Sequence, residues 1–263
     1  MIPIVPIFVH SEAMSSIGFG IDVGGSGVKG ARVDLGSGEF ASERIKILTP
    51  RPATPEAVAA VVAQIVEQAG WEGPVGVTVP GVVRNHVVES AANIDASWVG
   101  TDARALFSSH LGGREVAVLN DADAAGLAEV TYGIPEASRG PVIFLTLGTG
   151  IGSALLIDGH LYPNSELGHL EVGGKEAERR ASSAVKERKD LSYKQWAKRV
   201  DKVLHAYEEL FSPELFIVGG GISRKSDKWV PLLTCRTRVL PARLLNTAGI
   251  VGAAMAARRG STR

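Results

Sequence analysis

The sequence predicts an α/β protein in two lobes, each opening on a strand–glycine turn–strand hairpin. Three observations predict it. Apolar strand-like runs alternate with helical stripes along 263 residues, a length for one large α/β unit or two small domains. Two glycine-rich hairpins recur, one in each half, with Asp22 and Thr146 in matching places ahead of Gly24 and Gly148. Apolar residues make up 45% of the chain and aromatics 6%, which suits a core of Ala, Val, Leu and Ile.

Regular structure is expected from Gly18. Phe19 to Val23 reads as a strand, followed by a glycine turn and then an apolar/polar alternation through Val33. Thr54-Pro55-Glu56 starts a helix, with Thr as N-cap and Pro in the first position, and Ala57 to Ala69 supplies its stripe. Gly76 to Val79 is a short strand ending at Pro80-Gly81, and Thr101-Asp102 caps a further helix. Val116 to Leu119 is a strand and Asp121 to Tyr132 an Ala-rich helix, with a loop at Gly133 to Pro141. The second hairpin pairs Val142 to Leu147 with Ser153 to Ile157. Residues 175–211 read as helical with one break near Asp190-Leu191-Ser192, where Ser192 can cap. Leu215 to Val218 is a strand feeding three glycines, and Thr247 to Ala257 closes as an Ala-rich helix. The working division is a loose tail over 1–17, one α/β domain from 18–118 plus 249–263, and a second from 119–248.

Composition excludes several classes. Lys and Arg together number 28, as do Asp and Glu, so any attraction for polyanions must be local. One cysteine, Cys235, rules out an internal disulfide framework and a multi-cysteine zinc site, and a reducing cytoplasm is the natural setting. No apolar run reaches the length of a membrane span. The apolar start lacks a basic leader and does not read as a signal peptide.

Three glycine motifs point to phosphate. In Asp22-Val23-Gly24-Gly25-Ser26-Gly27-Val28-Lys29-Gly30, the glycines satisfy a dinucleotide fingerprint, but a strand follows where that fingerprint needs a helix. No Gly-Lys-Ser/Thr completes a Walker loop either. What remains is a tight hairpin offering N–H groups to a phosphate, with Asp22 placed to hold a hydrated magnesium ion. Gly148-Thr149-Gly150-Ile151-Gly152 lets backbone and ligand approach closely, and Gly219-Gly220-Gly221 follows a strand end suited to a nucleotide. Each alone is also an ordinary turn; three in one short chain make that shared explanation weak.

Two further groups carry chemistry. Asn120-Asp121-Ala122-Asp123 sits at a strand-to-helix junction, where one aspartate serves as N-cap and the other is free. Phosphoryl transfer needs a carboxylate to accept the proton of the attacking hydroxyl, and Asp121 is the candidate. Glu166 and His169, three apart, offer an acceptor and a donor to vicinal hydroxyls, with Glu178 downstream. A zinc shell is disfavoured because no cysteines complete it.

In this order the motifs resemble the sugar kinases of the actin-like ATPase superfamily, with its ribonuclease H-like fold. The chain is similar to the ROK family (repressors, open reading frames, kinases) and within it most like the polyphosphate-using glucokinases. The likeness runs from about Gly18 to Ala257 and includes Ser90 to Trp98 and Gly173 to Glu178. The resemblance implies that Asp22, Gly24, Gly25, Ser26, Gly27 and Lys29 form the first phosphate loop. By the same likeness Gly148, Thr149, Gly150 and Gly152 form the second, and Gly219, Gly220 and Gly221 border a nucleotide. It implies that Asn120, Asp121, Glu166, His169 and Glu178 hold glucose, with Asp121 as base, and that Asn93 and Gly81 line the pocket from the other domain. Most members carry a zinc-binding cysteine cluster after the histidine. Here Gly173-Gly174-Lys175-Glu176-Ala177 takes its place, so no zinc is expected. The implied cofactor is Mg2+; the implied partners are glucose, inorganic polyphosphate and ATP, with neither nucleic acid nor membrane, and a homodimer.

Between Lys175 and Lys202 ten basic residues face five acidic ones, among them Lys175, Arg179, Arg180, Lys186, Arg188 and Lys189. A linear polyanion binds such a surface through counterion release; the plainer alternative is a solvated helix face laced by ion pairs. The competing functions are a hexokinase or glucokinase using ATP alone and a sugar-sensing ROK protein without kinase activity. The 17 residues before the first strand are too few for a helix-turn-helix.

Overall fold

The computed structural model describes residues 16–91 and 94–258. The chain opens with β1 (Ile17–Gly24) and β2 (Gly27–Asp34), an antiparallel pair closed by the two-residue turn Gly25-Ser26. Short strands β3 (Glu39–Phe40) and β4 (Ile45–Ile47) then pair with β2. Helix α1 (Pro55–Gln68) starts as its sequence directs, with the Thr54 hydroxyl accepting the Ala57 N–H, and it buries Val58, Val62 and Ile65. The wholly buried β5 (Val75–Val79) follows, then a two-stranded ribbon of β6 (Val83–Arg84) and β7 (Val87–Val88). Next are α2 (Ala103–His110), capped by Asp102, and β8 (Val116–Asn120).

The second half starts with α3 (Asp121–Ala128), which ends four residues before the predicted Tyr132 and passes into a π turn at Glu129–Gly133. There the buried Glu129 carboxylate accepts the N–H groups of Arg243 (3.0 Å) and Leu244 (2.6 Å) and ties the turn to a distant loop. β9 (Pro141–Leu147), β10 (Ile151–Ile157) and β11 (His160–Tyr162) form a meander. The region expected to be helical with one break is three pieces: α4 (Ala177–Ala181), α5 (Ser183–Arg188) and α6 (Tyr193–Phe211). The added break falls at Ser182, whose extended ψ of 156° turns its carbonyl, with that of Ala181, toward the buried Trp196 indole N–H. Ser192 and Gln195 make a capping box on α6. β12 (Leu215–Gly219), β13 (Arg238–Pro241) and α7 (Ala248–Arg258) complete the chain.

The two sheets repeat one topology. The first has the order β3-β2-β1-β5-β8 and the second β11-β10-β9-β12-β13. In each, three strands form an antiparallel meander and two more run parallel to the first strand. The hairpin likeness between the halves therefore extends to the whole sheet. One core lies under α1 and α2, another under α6, and a third between the sheets around α3 and α7. Backbone packs on backbone in that third core. A methyl at Gly20 or Gly76 would overlap the carbonyl oxygens of Ile250 or Ala253 on α7, and one at Gly252 would overlap that of Ala124 on α3. Among the described residues no helix is long and apolar enough to cross a membrane.

Candidate active site

A cleft of about 280 Å³ lies where the two hairpin turns meet. Gly24 and Gly25 line it from the first sheet and Gly148, Thr149, Gly150 and Gly152 from the second. Pro80, Gly81 and Ser90 close it on one side, and Asn120, Asp121, Glu166, His169 and Glu178 on the other. The structure thus brings both glycine turns and four of the predicted charged residues into one volume. Asn93 lies outside the described residues.

The first turn is backed by charge. Asp22 and Lys29 are register partners across β1 and β2, with Lys29 Nζ 3.1 Å from Asp22 Oδ2. The buried Thr78 hydroxyl donates to Asp22 Oδ1 at 3.2 Å and accepts the Val23 N–H. Lys29 stands beside Gly24, and neither it nor Asp22, Ser26 or Gly27 lines the cleft. The Asp22 carboxylate retains free lone pairs beside this turn. An all-oxygen anionic group of that kind suits a hydrated Mg2+ rather than a softer metal. Gly219, Gly220 and Gly221 do not line the cleft. Gly220, with φ 83°, packs against the Leu147 backbone behind the second turn, a contact that a side chain would block.

The start of α3 corrects the expected cap. Asn120 is the cap, its Oδ1 accepting the N–H groups of Ala122 (2.8 Å) and Asp123 (3.1 Å), and Asp121 Oδ1 shares the Ala122 N–H at 2.8 Å. Its Nδ2 donates to the Gly81 carbonyl at 3.1 Å, so this amide positions the pocket wall. Asp121 also lines the cleft. Burial first, then the charges of Asp22 and Glu166, push its pKa up to about 7. Asp123 is buried and also raised to about 7, chiefly by burial; one oxygen accepts the Asn164 N–H at 2.7 Å and the other has no partner.

Asn164 is a residue the sequence reading missed. It holds φ +62°, and its side chain makes paired 2.9 Å hydrogen bonds with the N–H and carbonyl of Val83. With Asn120 it fixes the segment carrying Gly81 and Ser90 to the second half. The signal available was Pro163-Asn164, a turn pair in which Asn tolerates the left-handed region.

The loop bearing Glu166 and His169 is built by buried hydroxyls. Ser153 accepts the Leu167 N–H at 2.9 Å and donates to Ser165, while Tyr207 of α6 donates to the Leu167 carbonyl at 2.6 Å. Gly168 lets this loop touch Ile151, where a methyl would overlap a carbonyl oxygen. Glu166 Oε2 lies 3.7 Å from His169 Nε2, and burial raises the Glu166 pKa while His169 opposes it. Glu178 lies against the second turn and accepts the Ile151 N–H at 3.4 Å. Atoms of His169, Glu176 and Glu178 come within 4.8 Å of one another, a spacing that also fits a cation.

Beside this loop is a broader groove of about 520 Å³ lined by Glu171, Gly174, Lys175, Glu176, Arg179, Arg188 and Lys189. Four of the six predicted basic residues meet there. Arg180 does not; its guanidinium donates to the Val172 and Gly173 carbonyls. Lys186 is directed over the Tyr193 ring at 4.4 Å, joined there by Lys228 at 5.6 Å.

Comparison with known proteins agrees with this geometry. The description of the ROK family matches residues 18–182. A polyphosphate glucokinase of Mycobacterium tuberculosis is 63% identical over 239 residues, covering 91% of this chain and 90% of its own. An inorganic polyphosphate/ATP-glucomannokinase from Arthrobacter sp. strain KM superposes with a TM-score of 0.86 at 51% identity, over 91% of this chain and 97% of that one. A ROK family glucokinase from Streptomyces griseus, solved with glucose and AMPPNP, gives 0.80 at 26% identity, over 93% of this chain and all of its own.

Proposed function

The chain belongs to the ROK family, and from that premise we propose that it phosphorylates the 6-hydroxyl of glucose with inorganic polyphosphate, and with ATP as a second donor. The observation that carries this reading is the meeting of Asp121 with both glycine turns in one cleft. Relatives 58–63% identical named polyphosphate glucokinase support the donor and the acceptor.

Glu166, His169 and Glu178 face the sugar hydroxyls, and Asn120 and Asn164 keep the Gly81 wall in register with them. Asp121 accepts the proton of the attacking hydroxyl as its oxygen forms a bond to the terminal phosphorus and the bond to the departing phosphate oxygen breaks. A base with a pKa near 7 is well matched to that task. N–H groups of Gly24, Gly25 and residues 148–150, with Lys29 beside them, stabilise charge on the phosphoryl oxygens. Asp22 would hold Mg2+ through water, and that ion, when bound, supplies positive charge to the donor phosphates. Lys175, Arg179, Arg188 and Lys189 carry the donor chain leading away from the cleft.

In this reading residues 18–118 with 249–263 form one lobe, of which 92, 93 and 259–263 lie outside the described residues, and 119–248 the other, closing over the substrates through α3 and α7 and excluding water. We also propose that it works in the cytoplasm as a homodimer, acting on neither nucleic acid nor membrane. The test is glucose 6-phosphate production with polyphosphate and with ATP, each with and without magnesium. Production with ATP alone would make this an ordinary glucokinase; no production with either donor would reject the kinase reading.

A further inference from the structure

The ribbon of β6 and β7 belongs to the first half of the chain, and one side chain of the second half holds it. Its strands turn at Asn85-His86, both at positive φ, with Val83 opposite Val88. Val88 turns its N–H and carbonyl outward, to the Thr101 carbonyl and the Gly100 N–H. Val83, across the same non-bonded pair, turns its own two groups outward on the other side. There the Asn164 amide meets both. Its Oδ1 accepts the Val83 N–H and its Nδ2 donates to the Val83 carbonyl, each at 2.9 Å. A side-chain amide thus takes the place of a neighbouring strand. Among the described residues, these are the hydrogen bonds that join residues 82–89 to the second half.

Asn164 is itself a fixed post. Its N–H donates to Oδ2 of the buried Asp123 on α3 at 2.7 Å. The next residue, Ser165, is locked to Ser153 of β10 in both directions, its carbonyl accepting at 2.8 Å and its hydroxyl donating at 3.0 Å. The ribbon, by contrast, runs straight into the cleft wall. The Val82 N–H donates to the Ser90 hydroxyl at 3.0 Å and the Glu89 N–H to the Val82 carbonyl at 2.8 Å, while Gly81 packs on the Ser90 carbonyl. Gly81 and Ser90 line one side of the cleft, and Glu166, two residues after Asn164, lines the other. Asn164 therefore ties the two walls together. Val83 and Asn164 are half-buried, and two neutral hydrogen bonds there are only modestly better than the water bonds that would replace them. Such a contact opens and re-forms.

We propose that Asn164 is a positioning residue that latches the cleft: its amide holds the 82–89 ribbon against the Glu166 loop while a sugar is bound, and parts from Val83 to let sugar in and product out. The latch rests on the reading of this cleft as the site of sugar phosphorylation. With it made, the walls keep water from the terminal phosphorus. With it broken, water takes the place of the 6-hydroxyl. Its oxygen bonds to the terminal phosphorus, Asp121 accepts its proton, the bond to the donor-chain oxygen breaks, and inorganic phosphate leaves instead of glucose 6-phosphate.

The test is N164G, which removes the amide yet suits the φ of +62°. It is compared with the native protein in glucose KM, in the ratio of inorganic phosphate to glucose 6-phosphate, and in amide hydrogen exchange at Val83. Glucose KM is expected to rise about tenfold, the effect of weakening closure by roughly one hydrogen bond. The KM for polyphosphate should stay within about twofold, since Asn164 lines neither the cleft nor the basic groove. The phosphate ratio should rise at least about tenfold as water competes with the sugar. In the native protein glucose should slow Val83 exchange by about tenfold or more, and N164G should exchange fast with or without it. N164D accepts the Val83 N–H but sets a carboxylate against the Val83 carbonyl, so it should follow N164G. Should N164G melt early, N164D keeps the side chain's size and carries the test. A phosphate ratio within about twofold of native in both variants overturns the latch whatever the KM, as does native Val83 exchange that glucose leaves unmoved, and the kinase reading then stands without it. No glucose 6-phosphate from the native protein overturns both.

Discussion

Asp121 and Glu166 line the cleft and Asp123 is buried beside them; the Glu166 charge raises the cost of ionising both aspartates, and Asp121 that of ionising Asp123. As the proposed base, Asp121 acts only when deprotonated, and its pKa is raised to about 7. Turnover should therefore climb as pH rises through 7 and level off above it, a limb measurable in kcat with saturating substrates. D121N should lack turnover by at least about 100-fold while binding glucose within a few-fold of native, by calorimetry. Asp123 gives a different signature because it is buried and structural. Its folded pKa of about 7 lies above the ordinary value near 3.9, so the fold prefers the protonated acid. That contribution is complete below about pH 4 and is lost as pH rises through 7. D123N stays neutral, so its melting temperature relative to native should be higher at pH 8 than at pH 5; equal differences would show that Asp123 ionises freely. Reading residue types alone marked both aspartates but gave the cap to one of them. A side chain's task at a helix start depends on which of three adjacent polar groups faces the backbone, and Asn120 took the cap.

Elements with strong internal signals were legible. The Thr54-Pro55 start, the Ser192 cap and both hairpins follow from local chemistry, and each is found where the sequence places it. The missed elements are short or sit at edges. β6 and β7 are two residues each around Asn85 and His86 at positive φ, and β13 is an edge strand ending in proline. Their pairing is dictated by distant neighbours, which no window of sequence contains. The same holds for α7, whose Ala-rich character shows a helix but not that β1 and β5 lie against its backbone. G76A tests that contact. The added methyl must push α7 away from β5, and overpacking of this kind costs about 1–3 kcal/mol, measurable by urea unfolding. An unchanged midpoint would mean the helix can shift freely. Because α3 rests on the other side of α7, the same substitution should also slow turnover.

Taken whole, the molecule is neutral but its charge is unevenly spread. The excess of basic residues after Lys175 stood out in the sequence; which of them converge on one groove did not, since Arg180 and Lys186 are drawn aside by backbone carbonyls and a tyrosine ring. Binding of a long polyanion by the remaining four should fall steeply with salt. The KM for polyphosphate should rise more than about tenfold between 50 and 200 mM salt, while that for ATP changes only a few-fold. Parallel salt responses would place the chain elsewhere. The repeat of one sheet topology was hinted at by two glycine turns and became visible only in strand order. The placement of α7 has a further consequence for how the protein is made. Strands β1 and β5 expose glycine faces that only residues 248–258 can seal. During synthesis the first sheet thus waits for the whole second sheet to be made, and its seam stays open until α7 emerges. Chaperone capture and cleavage by proteases should concentrate at that seam until α7 is in place.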